Sequence, residues 1–419
     1  MSNTAVAVHR LEQPEVDAIC ARHDRLWRGK QGGARAVFSY ADLSGLNLSG
    51  RNLQDADFTG ACLADCNMTE CRLDNANLFG ADLQNVVLVD ASMRRSDLRG
   101  ACLRGANLTG ADLFEADLRE GSIASLSGAG GLRIHEPHRR ASEAVGANLR
   151  GANLQRSRLS GIMATRADFT DAVMKDCKLV RANLKQATLR GADLAGADLC
   201  GADLSGADLT DAILVGAKTS QWNVDQANMT DVLTDPPTAA AMAALPYAEM
   251  LAAHALWCET GGAAGKPSSF DGADLRSLTS ARALNLTALS GKGAIFYGLD
   301  MEGVKLQGAH LEGADFRCCK LRRADLRGAR LVGAKLGGAD LREAHLGPLM
   351  IRQDHLMPAD LTRAVLKGAD LSHADMRRAI LAGADLERAN LTGVTLRRAD
   401  LADANLTGVK GLKFDEFGP

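Results

Sequence analysis

From Gly191 to Leu209 the chain reads GADLAGADLCGADLSGADL. The unit is five residues long: Ala, then Asp or Asn, then Leu, then two small or polar residues. With the Leu taken as the centre, the period runs outward in both directions. Centres recur at every fifth residue from Phe38 to Ile123, from Leu149 to Met229 and from Leu286 to Leu406. That makes sixty units, or 300 of the 419 residues. Repetition at a fixed short period over most of a chain marks a solenoid.

A period of five suits neither common element. A helix needs apolar residues about 3.6 apart and a strand needs them 2 apart. Here Ala and the centre, two residues apart, face one way, and three residues separate each pair from the next. Each unit must therefore turn a corner after a short extended piece. Repeated corners wind the chain into coils that stack by backbone hydrogen bonds, at roughly the 4.8 Å spacing of paired strands. Gly, Ser and Thr after the centres suit the corners.

ADLSG at Ala41, ANLTG at Ala106, ADLAG at Ala192 and ANLTG at Ala389 resemble the A(D/N)LXX unit of the pentapeptide-repeat family. The resemblance implies an all-β solenoid, a right-handed quadrilateral β-helix of four units and twenty residues per coil. On that coil Phe38 lies over Phe58, Phe296 lies over Phe316, and Asp198 lies between Lys178 and Lys218. The columns Lys305, Asp325, His345 and Asp315, Lys335, His355, Asp375 follow from the same count.

Breaks in the period mark the domains. The interval from Ile123 to Leu149 is not a multiple of five, so 125–145 reads as a loop interrupting one stack. After Met229 come Asp235-Pro-Pro, an Ala-rich stretch and Gly261-Gly, which signal a boundary. Val16, Ile19, Cys20, His23 and Trp27 form one helical stripe, and Tyr247, Met250, Leu251, His254 and Trp257 form another; a Gly-Gly pair follows each. The expected plan is a helical cap at 1–37, a β-helix at 38–234, a linker and second cap at 235–272, and a second β-helix at 273–419. These make two stacked modules, each begun by an N-terminal capping α-helix that covers an open coil. Leu349 to Met357, between Pro348 and Pro358, keeps the count of five without the Ala and reads as a distorted coil or a ten-residue protrusion.

Composition bounds the function. Aromatic residues are only 4%, and 49 basic residues face 51 acidic ones for a net charge of −2. This excludes a generally basic nucleic-acid binder and an acidic disordered chain, so no direct nucleic-acid binding is expected. No secretory signal opens the chain, and the apolar stretch from Ala239 to Cys258 carries Pro246, Glu249 and His254, so no membrane span is expected. Ten cysteines show no paired spacing, which fits a reducing cytoplasm.

The sequence offers no catalytic constellation, cofactor loop or metal-ligand spacing, and the expectation is a protein that is not an enzyme. Cys66, Cys71, Cys177 and Cys319 fall in the inward Ala slot and read as small core residues. His135 and His138 sit in the interrupting loop beside Arg139 and Arg140. His23, Trp27, His254 and Trp257 read as structural cap residues. The expected function is a scaffold or protein-interaction module. Its candidate contacts are the loop, the segment 346–357 and a basic set of Arg317, Lys320, Arg322, Arg323, Arg327 and Arg330. The family resemblance adds an alternative, a DNA-mimicking modulator of gyrase. Only residues 38–123 lean acidic enough for that, with a column of Asp57, Asn77, Asp97 and Asp117. A homodimer through Phe414 and Phe417 completes the expectations.

Overall fold

In the computed structural model, which describes residues 9–122, 125–126, 132–133, 139–236, 246–278, 280–352 and 355–412, the centre of each unit points inward and its neighbours pair outward. Residues twenty apart form parallel bridges: Val37 with Asp57, Asp57 with Asn77, Asn77 with Asp97. Four such columns run side by side, so each coil holds four five-residue units. One residue per side makes the bridge, which is too short for a continuous strand. The result is a repeat β-helix built from single bridges.

The unit explains itself. Inside, the Ala and the centre of the interior coils are almost wholly buried, as at Ala192, Leu194, Ala197 and Leu199. At the corner, the carbonyl of the centre accepts from the N–H three residues on, as Leu43 does from Leu46 at 3.1 Å. The residue two after the centre takes a positive φ, 73° at Gly45 and 55° at Arg363, which is why Gly recurs there. The Asp or Asn before the centre has its own task. Its side chain accepts from the N–H two residues on, as Asp42 does from Ser44 at 2.9 Å and Asp57 from Thr59 at 3.0 Å. That satisfies a corner N–H that the coil stack leaves over.

The chain divides into two compact units, Met1–Asp235 and Pro236–Pro419. In the first, β1 (His9–Arg10) pairs in parallel with β2 (Ala41–Asp42), and helix α1 (Gln13–Trp27) follows. Val16 and Cys20 of α1 belong to the same buried cluster as Phe38 and Leu43. Gln13 exchanges hydrogen bonds with the Asn47 backbone, and Asp17 pairs with Arg51 at 2.7 Å. The aromatic column is as expected, with Phe38 and Phe58 stacked at 5.0 Å between centroids. Lys178, Asp198 and Lys218 are likewise vertical neighbours.

The interruption differs from the sequence reading at both ends. The last regular centre before it is Leu118, and the bridges resume with Cys102 to Glu143, so Ser142 to Val145 already belong to the coil and not to a loop ending at 145. Ser142 stands in the Ala slot and Ala144 replaces the centre, which hid this unit in the sequence. Two short antiparallel pairs lie between: β3 (Gly121–Ser122) with β6 (Arg139–Arg140), and β4 (Ser125–Leu126) with β5 (Leu132–Arg133). Ile123, His135 and His138 lie outside the described residues, as do Phe414 and Phe417.

In the second unit, helix α2 (Tyr247–Glu259) places Leu251 and Ala255 in one buried cluster with Phe270. The bridges begin at Ser269, before the expected boundary at 273, and the first coil carries one extra residue: Ser269 pairs with Ser290 but Asn285 with Lys305. Phe296 and Phe316 stack at 4.6 Å. The segment between the two prolines is a protrusion, not a coil. It forms an antiparallel hairpin of β7 (Leu349–Arg352) and β8 (His355–Met357). Its ten extra residues preserve the count of five by coincidence and shift the columns. Lys335 is followed by Val365, not His355, and His345 by Asp375.

Candidate functional site

The four cap residues fall into two matching settings. His23 and His254 are each 1% exposed. His23 Nδ1 accepts from the Ala36 N–H at 3.0 Å, and His254 Nδ1 accepts from the Ser268 N–H at 3.0 Å. The opposite nitrogen reaches a carbonyl of the first coil, that of Gln54 for His23 and that of Thr287, at 3.1 Å, for His254. Both rings therefore carry their proton on Nε2. With that tautomer Trp27 Nε1, 3.2 Å from His23 Nε2, is a packing neighbour rather than a donor to it. Burial lowers the His23 pKa from its ordinary value. Trp27 is half exposed, and Trp257 tilts against His254 at 5.8 Å. These residues join a helix to a coil; they hold no ligand set. Among the described residues no group of three or more His, Cys, Asp or Glu could hold a metal ion, and no helix is long and apolar enough to cross a membrane.

The basic set is not brought together. Arg317, Lys320, Arg327 and Arg330 lie in or beside four different columns and encircle one coil. Their charges are also matched. Arg317 clamps Asp315, Arg327 clamps Asp325, Arg322 and Arg323 share Glu343, and Arg330 reaches Glu312 at 3.1 Å. Lys320 stands between Asp300 and Asp340.

The clamp has a sequence rule. In Asp-Leu-Arg, the arginine one past the centre folds back on the aspartate one before it. Arg99 on Asp97, Arg119 on Asp117, Arg276 on Asp274 and Arg342 on Asp340 all do so, at 2.6 or 2.7 Å for the closest pair. Where the aspartate is missing, the arginine reaches the next coil, as Arg190 does to Asp208 at 3.2 Å.

At one place the described residues supply neither partner. Beside the hairpin lies a groove of about 800 Å³ lined by Asp325, Arg327, His345, Met350, Leu356, Asp375, Arg377, Arg378, Arg397 and Arg398, among others. Arg377 clamps Asp375 at 2.7 Å and holds its carboxyl below the ordinary aspartate range. Arg397 occupies the same corner one coil on, but Thr395 stands where the aspartate would be. Among the described residues Arg378, Arg397 and Arg398 have no carboxylate partner, and all three are exposed. Stacked charges of one sign, about 4.8 Å apart, repel by on the order of 1 kcal/mol even in water. Arg378 and Arg398 stack in this way, both at left-handed corners with φ of 56° and 59°.

The opposite wall is apolar and solvent-facing: Met350 is 66% exposed and Leu356 36%. The hairpin is seated by glycine. A Cβ on Gly328, where φ is 66°, would fall 2.8 Å from the Leu349 Cβ and 2.9 Å from the Met357 Cε. Of this groove the sequence reading found the protruding segment, Arg327 and His345, but missed Arg378, Arg397 and Arg398. Thr395 before Leu396-Arg397 was the available signal.

Comparison with known proteins places this architecture. The family model for pentapeptide repeats matches residues 34–122, 145–216, 294–347 and 359–410. No curated protein matches the sequence. Among solved structures, the chain is similar to the pentapeptide repeat protein Rfr23 from the cyanobacterium Cyanothece 51142, at 27% identity over 33% of this chain and 91% of that one, with a TM-score of 0.25. It is also similar to HetL, a pentapeptide repeat protein involved in heterocyst differentiation regulation from Nostoc sp. strain PCC 7120, at 21% identity over 95% and 96% of the two chains and a TM-score of 0.14. Full-length QnrB1, a plasmid-mediated fluoroquinolone resistance protein, matches at 18% identity over 50% and 99%, with a TM-score of 0.24. With well over half of its residues matched by the family model, this chain belongs to the pentapeptide-repeat family.

Proposed function

We propose that the protein is a non-enzymatic scaffold that binds a partner protein through the second unit. The observation that supports this is the groove beside β7 and β8, where a hairpin departs from the repeat and Arg378, Arg397 and Arg398 have no carboxylate partner among the described residues. Elsewhere many exposed arginines are paired with a carboxylate, and exposed charges paired in this way contribute little to either stability or recognition. Within the same reading the architecture is a right-handed quadrilateral β-helix in two modules. Helices α1 and α2 serve as caps, supported by the matched bonds of His23 and His254 to the first coils. The ten free cysteines accord with a cytoplasmic setting.

The test is retention of a partner from the native host by the full chain and by a hairpin-less variant. Deleting Pro348 to Met357 restores the twenty-residue register. Pro358→Gly is needed with it, because that residue then takes the left-handed corner that proline cannot adopt. A partner held by the full chain and lost by the variant supports the reading; equal retention overturns it. A homodimer through the last described coil, where Leu401 and Leu406 are only partly buried, is part of the same proposal, and light scattering reads it directly.

The gyrase-directed alternative needs unbroken negative charge along a face. Asp97 and Asp117, in its best column, are clamped by Arg99 and Arg119. We therefore expect no inhibition of supercoiling at micromolar protein.

A further inference from the structure

We propose that the groove holds an extended acidic segment of a partner protein, its carboxylates on Arg378, Arg397 and Arg398 and an apolar side chain against Met350 and Leu356. The proposal rests on the scaffold reading and specifies the chemistry of its partner.

Three observations converge. Arginine one past the centre is paired in this fold, on the aspartate two residues before it or on the coil that follows; among the described residues Arg397 at that position has neither partner, and Arg378 and Arg398, at the corner one residue on, have no carboxylate partner. Their guanidinium groups come from adjacent coils onto one face, so they present a forked, bidentate surface that matches carboxylates. An extended chain shows alternate side chains on one face, about 6.6–6.8 Å apart, within the reach of arginines on neighbouring coils. Met350 and Leu356 then supply the apolar wall that receives a residue between two acids.

The alternative polyanion, a nucleic acid, fits less well. A nucleic-acid site neutralises on the order of 6–10 phosphates and stacks bases on aromatic rings. Here three cations without a carboxylate partner among the described residues stand in a groove whose lining also holds Asp325 and Asp375 and no Phe, Tyr or Trp.

The experiment uses the full chain and fluorescence anisotropy with a labelled peptide, Gly-Glu-Leu-Glu-Gly-Glu-Leu-Glu-Gly. Its companions are the same peptide with Ser for Leu, the same peptide with Lys for Glu, and a thymidine oligonucleotide of similar length. The Glu/Leu peptide binds, and its affinity falls as salt rises. Arg378→Gln with Arg397→Gln and Arg398→Gln lowers affinity at least tenfold. Arg397→Gln alone lowers it severalfold, and this exposed single change keeps the test readable if the triple variant melts early. Met350→Ser with Leu356→Ser abolishes the preference for Leu over Ser. Arg104→Gln with Arg150→Gln and Arg190→Gln, in the first unit, changes nothing. No binding by the wild-type protein, equal binding by the arginine variants, or tighter binding of the oligonucleotide overturns the proposal. If a host partner is retained by the triple-Gln variant as well as by wild type, the acidic-segment proposal falls and the scaffold reading stands. If no partner is retained at all, the scaffold reading falls.

Discussion

Phe296 and Phe316 lie one coil apart with their rings 4.6 Å between centroids and 2° from parallel. Both are 1% exposed. Phe316→Ala removes one layer of a stack whose neighbours cannot close over the gap, because the backbone bridges hold the coil spacing. The expected loss is about 3–5 kcal/mol, read by urea unfolding. A double variant with Phe296→Ala should lose less than the sum of the singles, since the two rings share one contact.

The cap histidines should behave as paired backbone clamps. His23→Ala leaves the Ala36 N–H and the Gln54 carbonyl without partners, at about 1–3 kcal/mol each. The sign of the pH dependence follows from burial. His23 has a lowered folded pKa, so its stabilisation is present above the ordinary value of 6.5 and is lost as pH falls through the folded value. Thermal melting of wild type between neutral pH and pH 5 should show this decline, and His23→Gln should flatten it.

The buried thiols set an alkaline limit. Burial pushes Cys66 from 9.0 up to about 11, and Cys71 and Cys177 up to about 12. Each donates inward to a backbone carbonyl, as Cys71 Sγ does to Leu48 at 2.7 Å. An unfolded thiol ionises first, so stability is intact below pH 9 and declines as pH rises toward the folded values. Cys→Ala at these three positions should blunt that decline. In native protein at pH 8 a thiol reagent should modify the half-buried Cys62, Cys200 and Cys318 before any of the three.

Gly328 and Gly368 share the same corner position and the same backbone region, with φ of 66° and 61°. A Cβ on Gly368 meets nothing within 4 Å, so Gly368→Ala should cost only about 1–2 kcal/mol for the left-handed backbone. Gly328→Ala should cost more, because the new atom displaces Leu349 and Met357 from their seat. Limited trypsin digestion at the exposed Arg352 reads the loosened hairpin.

Acid should unfasten the Asp-Leu-Arg clamps. Arg342 holds the Asp340 carboxyl below its ordinary 3.8, so the clamp is present above that value and is lost as pH falls below it. Asp340→Asn should lower stability at neutral pH by a few tenths of a kcal/mol to about 1 kcal/mol, the range for exposed pairs, and should shrink the loss on acidification.

The sequence alone determined that the chain winds in five-residue units. A strict period of five lets only one face of each unit be apolar, so Ala192, Leu194 and their equivalents had to turn inward, while the twenty-residue turn that pairs Phe38 with Phe58 was implied by the resemblance to the pentapeptide-repeat family. The sequence also marked the helical stripes with His23 and His254, because their spacing is a local property. Only the tertiary structure decided what the breaks in the period do. Ser142 and Ala144 continue the coil because small residues still fill it, and Leu349 to Met357 leave it because a hairpin can be inserted at a corner without disturbing the bridges on either side. That insertion sets Arg377 and Arg378 on the face of His345, beside Arg397 and Arg398. Which charges meet depends on coil register, and a ten-residue excursion shifts the register while leaving the five-residue count untouched.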